Sequence, residues 1–166
     1  MVGAVTFRKF TGENLPNVEE YVKQYCKEHT NIEIMVGTDS QNRGSKTVFS
    51  TIIAMYDCGD GEHGHGAHCV FRRWSTPRYT KERNSERLLK EVEESINVAV
   101  ALRDAGVRVK YVDIDVNPKK GTGKHRNLSN DIYNSATSWV TSCGFECRWK
   151  TLGPLVTILA DWVVKG

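Results

Sequence analysis

The run "NIEIMVGTDSQ" ends a stretch built for burial with an aspartate, Asp39. Two readings are open: the carboxylate opens a turn, or it belongs to a cluster of acids gathered from distant parts of the chain. An ionised carboxylate removed from water is strongly disfavoured unless a cation, hydrogen-bond donors or a raised pKa compensates it. Three further segments set acids among apolar neighbours in the same way.

The first is the helical stretch around "LLKEVEESINVAVAL". At 100° per residue with Leu88 as zero, its apolar residues fill an arc from about 280° round to about 120°. Glu91 falls near 300°, inside that arc, whereas Glu86, Glu93 and Glu94 fall near 160°, 140° and 240° on the polar side. Glu91 either snorkels from the edge of the stripe or meets a compensating partner in the core. The second segment is "YVDIDV", where residues two apart share a strand face, so Asp113 and Asp115 point the same way. Like charges that close repel unless solvent or a metal separates them, although a solvated aspartate at a strand end is also ordinary. Asp115 lies at the C-terminal end of its strand, where open α/β sheets place ligand sites. The third is "TILADWVV", which sets Asp161 in a helix apolar on almost every side; a contact to backbone or to an arginine would also account for it.

A different chemistry is offered by "CGDGEHGHGAHC", where Cys58, His63, His65, His68 and Cys69 are zinc-ligand types. Apart from the separation of His65 from Cys69 their spacings are not those of common zinc motifs, and a Gly-rich hairpin tip explains the same residues. "GTGK" is not a phosphate-binding loop, because the first glycine of that motif is missing and His125 replaces its Ser or Thr.

These acids need elements to carry them. Val18, Tyr21, Val22 and Tyr25 at helical spacing predict an N-terminal helix over residues 17–28. Three strands follow, Ile32 to Asp39, Lys46 to Tyr56 and His68 to Ser75, joined by turn-rich segments that predict an antiparallel meander. A long helix from Thr80 to about Ala105 stops at Gly106. Next come a strand over Val107–Val116, a basic loop, a helix over Leu128–Ser142, a short strand in "ECRWKTL" and a last helix near Thr157–Val164. The order β-β-β-α-β-α-β-α predicts a mixed α/β sheet with helices on both faces.

The 166 residues fit one domain, 1–166, with residues 1–30 as an N-terminal extension carrying a helix. With 26% charged and 39% hydrophobic residues, the composition is that of a globular protein rather than a disordered or fibrous one. No run has the length of a membrane span or the apolar core of a signal peptide, so a cytoplasmic protein with no membrane partner is expected. Five cysteines in no dense framework agree with free thiols in a reducing compartment. A net charge of +3 does not identify a polyanion partner; local clustering carries more information. Oligomeric state is not readable.

The order of elements and acids resembles the ribonuclease H fold, with an acid on the first strand, the first long helix, the fourth strand and the last helix. More closely, "VGTDSQ", "EVEES", "DIDVNP", "CGFECRWKT" and "LAD" resemble the YkuK-like ribonuclease H-related family of predicted nucleases, over about Ile32 to Val164. The resemblance implies a mixed five-stranded sheet, three antiparallel strands and then parallel ones. It implies catalytic and metal-binding roles for Asp39, Glu91, Asp115 and Asp161, with Asp113 in support behind them.

The implied reaction is hydrolysis of phosphodiester bonds by a hydrolase holding two Mg²⁺ or Mn²⁺ ions, hard cations suited to carboxylates. Asp39 would bridge both ions, Glu91 and Asp115 would hold one, and Asp161 the other. The substrate would be nucleic acid, RNA, DNA or a hybrid, with RNA or RNA/DNA hybrid favoured and endonucleolytic cutting expected. Basic residues near these acids suit such a polyanion: Arg72 and Arg73 in "FRRWSTPRYTKER", and Lys119, Lys120, Lys124, His125 and Arg126 in "PKKGTGKHR". The competing reading is a binding module that keeps the fold without turnover.

Overall fold

A computed structural model describes residues 5–61, 64–116, 128–149 and 155–165. The first elements are two short strands, β1 (Phe7–Lys9) and β2 (Asn14–Leu15), and helix α1 (Val18–Glu28), whose Asn17 side chain accepts from the Glu20 amide at 3.0 Å. Then come β3 (Ile32–Arg43), β4 (Lys46–Asp57), β5 (Gly66–Pro77), α2 (Asn84–Asp104), β6 (Val109–Ile114), α3 (Leu128–Ser142), β7 (Glu146–Trp149) and α4 (Leu155–Lys165).

The strands form one sheet of seven, in the order β2-β1-β5-β4-β3-β6-β7. Five of them follow the expected pattern, β3, β4 and β5 antiparallel, then β6 and β7 joining in parallel. The remaining two are an addition to the expected five: β1 and β2 pair with each other, and β1 extends the sheet beyond β5. At three and two residues they are too short to show alternation.

Side-chain alternation splits the core between the two faces. One face holds Ile34, Val36, Ile53 and Val112 against Val22 of α1, Val92, Ile96 and Leu102 of α2, and Ala136 and Val140 of α3. The other holds Met35, Ile52, Ala54 and Phe71 against Ala160 and Val163 of α4. Gly106, at φ +90°, closes α2 and lets the Val107 amide reach back to Leu102 O at 2.9 Å.

The end of β3 differs from the sequence expectation. The strand does not stop at Asp39 but runs four residues further, and the chain reverses at Gly44 (φ +55°) and Ser45. Asp39 therefore does not open the turn. Its pairing with β6 ends at Gly37 opposite Asp113, whereas pairing with β4 continues to Arg43. Past Gly37, β3 has no strand on its β6 side among the described residues, and that notch is where groups from both faces can meet.

Candidate active site

Asp39 shares its face of β3 with Met35, so it points to the α4 side of the sheet. It is 9% exposed and accepts a 2.8 Å hydrogen bond from the Ser40 amide. Burial pushes its carboxyl up to about 6; the Asp115 and Asp161 charges push the same way, against the Ser40 amide and Arg87.

The neighbouring Ser40 turns to the opposite face and meets α2. Its hydroxyl donates to Glu91 Oε1 at 2.5 Å. Arg87, one turn before Glu91, donates through Nη1 to Glu91 Oε1 (3.0 Å), Ser40 Oγ (2.6 Å) and Ser40 O (3.0 Å). Glu91 is 3% exposed, and burial, then the nearby Asp39, drive its pKa well above the usual carboxylate range; Arg87 and Ser40 oppose the rise and Asp115 adds to it. The helix thus does face Glu91 inward, and its compensation is a donor network.

Asp115 follows the last residue of β6 and is half-buried, with its charge felt at both Asp39 and Glu91. Asp161 comes from α4, the helix that packs across β3 and β4. Its charge also reaches Asp39, and Lys165 one turn later bonds it at 2.6 Å. Asp39 therefore lies within electrostatic reach of one acid each from α2, the end of β6 and α4.

Asp113 behaves differently. It is fully buried, and Arg148 on β7 binds it with two bonds, Nε to Oδ1 at 2.7 Å and Nη2 to Oδ2 at 2.9 Å. The guanidinium also lies 4.3 Å from the centre of the Tyr111 ring. Such a pair ties β6 to β7, a role the sequence reading of Asp113 as a support for the other acids did not include.

One more polar atom lies beside Asp39. Ser50 is its cross-strand partner on β4, fully buried, and the Ser50 hydroxyl has no hydrogen-bond partner. Directly opposed residues keep their Cβ atoms about 4.5–5.5 Å apart. An orphaned buried hydroxyl next to a buried carboxylate leaves room in the hydrogen-bonding pattern for a hydrated ion. The donors are all oxygen, and the Asp39 and Glu91 carboxyls are raised by burial first and by neighbouring acids second, so added positive charge would be favoured there. In chemistry the set fits Mg²⁺ or Mn²⁺. In geometry it is not a finished cage, since no three His, Cys, Asp or Glu side chains among the described residues are placed to hold an ion as they stand.

The arginines divide. Arg72 lies on the α2 side, paired with Glu94 at 2.6 Å and set between the Phe7 and Trp74 rings, so the structure does not bring it to the carboxylates. Arg73 is on the α4 side, opposite Ser50 in the register, and reaches Val164 O at 3.3 Å. Lys119, Lys120, Lys124, His125 and Arg126 lie outside the described residues.

Among the described residues, the zinc-ligand types are not brought together either. His68 shares a 2.7 Å hydrogen bond with the Tyr21 hydroxyl, while Cys69 points to the other face with its thiol pushed by burial up to about 11. His65 lies 3.7 Å from Asp57, and His63 is outside the described residues.

Sequence reasoning missed Ser40, Arg87, Ser50, Arg148 and Lys165. The spacing of Arg87 to Glu91, and of Asp161 to Lys165, is the one-turn spacing of helical ion pairs and was legible.

A mixed sheet whose central strand, first long helix, parallel neighbour and last helix each deliver an acid defines the ribonuclease H-like class. A family model described as Ribonuclease H-like matches residues 15–165, nearly the whole chain, and the chain belongs to that family. No curated protein matches it. Among the described residues no helix is long and apolar enough to cross a membrane.

Proposed function

We propose that this chain is a divalent-metal-dependent nuclease that hydrolyses phosphodiester bonds, with RNA or an RNA/DNA hybrid as the favoured substrate. The observation that carries the reading is the notch beside β3, where Asp115 and Asp161 act on buried Asp39, Asp39 and Asp115 act on buried Glu91, and the Ser50 hydroxyl stands unpartnered. An acidic cluster in a family associated with nucleic-acid chemistry is suited to bring metal to a phosphate.

In this reading Asp39, Glu91, Asp115 and Asp161 would together hold the two ions. Two bound Mg²⁺ or Mn²⁺ ions would supply an activated water and stabilise the leaving 3′ oxygen. The protein's own contribution is positioning. Ser40 and Arg87 fix the Glu91 carboxylate from the strand side and from its own helix. The Ser40 amide orients Asp39. Lys165 holds Asp161 until a stronger cation competes; that pair is half exposed and weak.

A second reading, a nucleic-acid-binding module without turnover, is favoured by one observation: Arg87 and Lys165 already answer the charge of two of the four acids. Cleavage of labelled RNA, DNA and hybrid duplex in Mg²⁺ and in Mn²⁺ separates the two. Metal-dependent cutting of at least one substrate, lost in Asp39→Asn, supports the nuclease; binding without cutting in either metal supports the module.

A further inference from the structure

The α4 side of the sheet carries a groove that the carboxylate site does not use. It has a volume of about 950 Å³ and runs between α4 and the β5 end of the sheet, lined by Tyr56, Cys69, Leu159, Phe10 and Trp162 among others. Two of these side chains are large, apolar and exposed: Phe10 at 45% and Trp162 at 65%. Their rings form a tilted pair with centroids 5.8 Å apart, and Phe10 makes a second tilted contact with Phe71 at 4.8 Å.

A cation joins the aromatic cluster. Arg8 pairs with Phe71 in the β1–β5 register and sets its guanidinium 4.8 Å from the Phe71 ring centre. Arg8 is exposed, and no carboxylate among the described residues forms an ion pair with it. Lys9 lines the groove as well, but its ammonium is already paired with Glu13 at 2.8 Å.

Exposed aromatic faces with an unneutralised guanidinium beside them match a ligand that is planar, stackable and anionic, the combination a nucleotide presents. A purely apolar protein segment would leave the Arg8 charge unanswered. Base-paired nucleic acid hides its ring faces inside the duplex, so the faces offered here suit unpaired bases. Trp162 also directly follows Asp161, which places the aromatic cluster on the helix that delivers an acid to the notch.

We propose that the groove lined by Phe10 and Trp162, with Arg8 beside it across the Phe71 ring, binds unpaired nucleotides of a single-stranded nucleic acid, stacking bases on Trp162 and Phe10 and contacting phosphate through Arg8. The choice of ligand rests on the nucleic-acid reading above.

The test is binding of a fluorescein-labelled oligouridylate, and of a blunt RNA duplex, measured by anisotropy in EDTA so that no strand is cut. Trp162→Ala is expected to weaken oligouridylate binding about tenfold. Arg8→Ala should weaken it severalfold, and neither variant should alter duplex binding. Trp139→Ala, which removes an exposed tryptophan on α3, should leave both affinities unchanged. Because Trp162 is mostly exposed, its truncation should leave the far-ultraviolet circular dichroism intact.

Oligouridylate binding that is the same in wild type and Trp162→Ala overturns the inference, as does a wild-type dimer that Trp162→Ala converts to monomer, which would make a second copy the occupant. The nuclease reading fails separately. Tryptophan-dependent oligouridylate binding together with equal cleavage by wild type and Asp39→Asn would keep the groove and remove the catalytic assignment.

Discussion

Ser40 and Glu91 join the central strand to the long helix through a 2.5 Å hydrogen bond, with Arg87 bound to both partners. Alternation on β3 sends Asp39 and Ser40 to opposite faces, so two adjacent residues organise two different acids: Asp39 with its own side chain and Glu91 through Ser40.

Removing Arg87 should expose how much Glu91 depends on it. Arg87→Ala removes the cation that donates to Glu91, which is 3% exposed, and to Ser40; leaving such buried acceptors short of a donor costs about 1–3 kcal/mol. Urea denaturation in EDTA at neutral pH should show that loss, and Arg87→Ala/Glu91→Gln should recover a large part of it. A loss under about 0.5 kcal/mol would mean that water already serves Glu91.

Asp39 should make the metal-free protein less stable as pH rises. Its carboxyl is raised from 3.8 to about 6, so between those values the folded state holds a proton that the unfolded state has released. Stability then falls across that window, by about 3 kcal/mol for a shift of about two units. Asp39→Asn removes the titration, so in EDTA it should be the more stable protein at pH 7 and show a flatter stability profile between pH 4 and 6. A wild type that gains stability relative to Asp39→Asn over that interval would contradict this sign.

Ser50 separates stability from metal binding. Its hydroxyl is buried without a partner, so Ser50→Ala should be neutral or slightly stabilising in EDTA, by up to about 1 kcal/mol. The same substitution should weaken Mn²⁺ binding roughly tenfold if the hydroxyl holds a water of the ion. Thermal melts with and without Mn²⁺ read both effects. A large loss of stability in EDTA would show that the hydroxyl has a structural partner instead.

Asp113 should matter to folding more than to chemistry. Arg148→Met removes two guanidinium bonds from a fully buried carboxylate and should cost about 3 kcal/mol. Pairing it with Asp113→Asn should restore much of the stability, giving a coupling energy that a cycle of the four proteins measures.

The acids were legible because each broke a local pattern: an aspartate ending an apolar run, a glutamate inside a helical stripe, an aspartate in an apolar helix. The five main strands and the four helices were legible from period and turn residues. What stayed hidden depended on register. Asp113 meets Arg148 only because two parallel strands, 35 positions apart at that pair, align there. Ser50 faces Asp39 only because β3 and β4 pair through a two-residue turn at Gly44 and Ser45, so that "SQNR", polar enough to pass for loop, is strand. Local composition carries no record of either alignment.

The central claim is that acids from β3, α2, β6 and α4 share divalent cations. Electron paramagnetic resonance of free Mn²⁺, titrated against wild type and Asp39→Asn at pH 7.5, tests it most directly. Wild type should bind two ions, and the variant should lose at least tenfold in affinity, with reduced stoichiometry. Equal binding by the two proteins, or no binding by wild type, would contradict it.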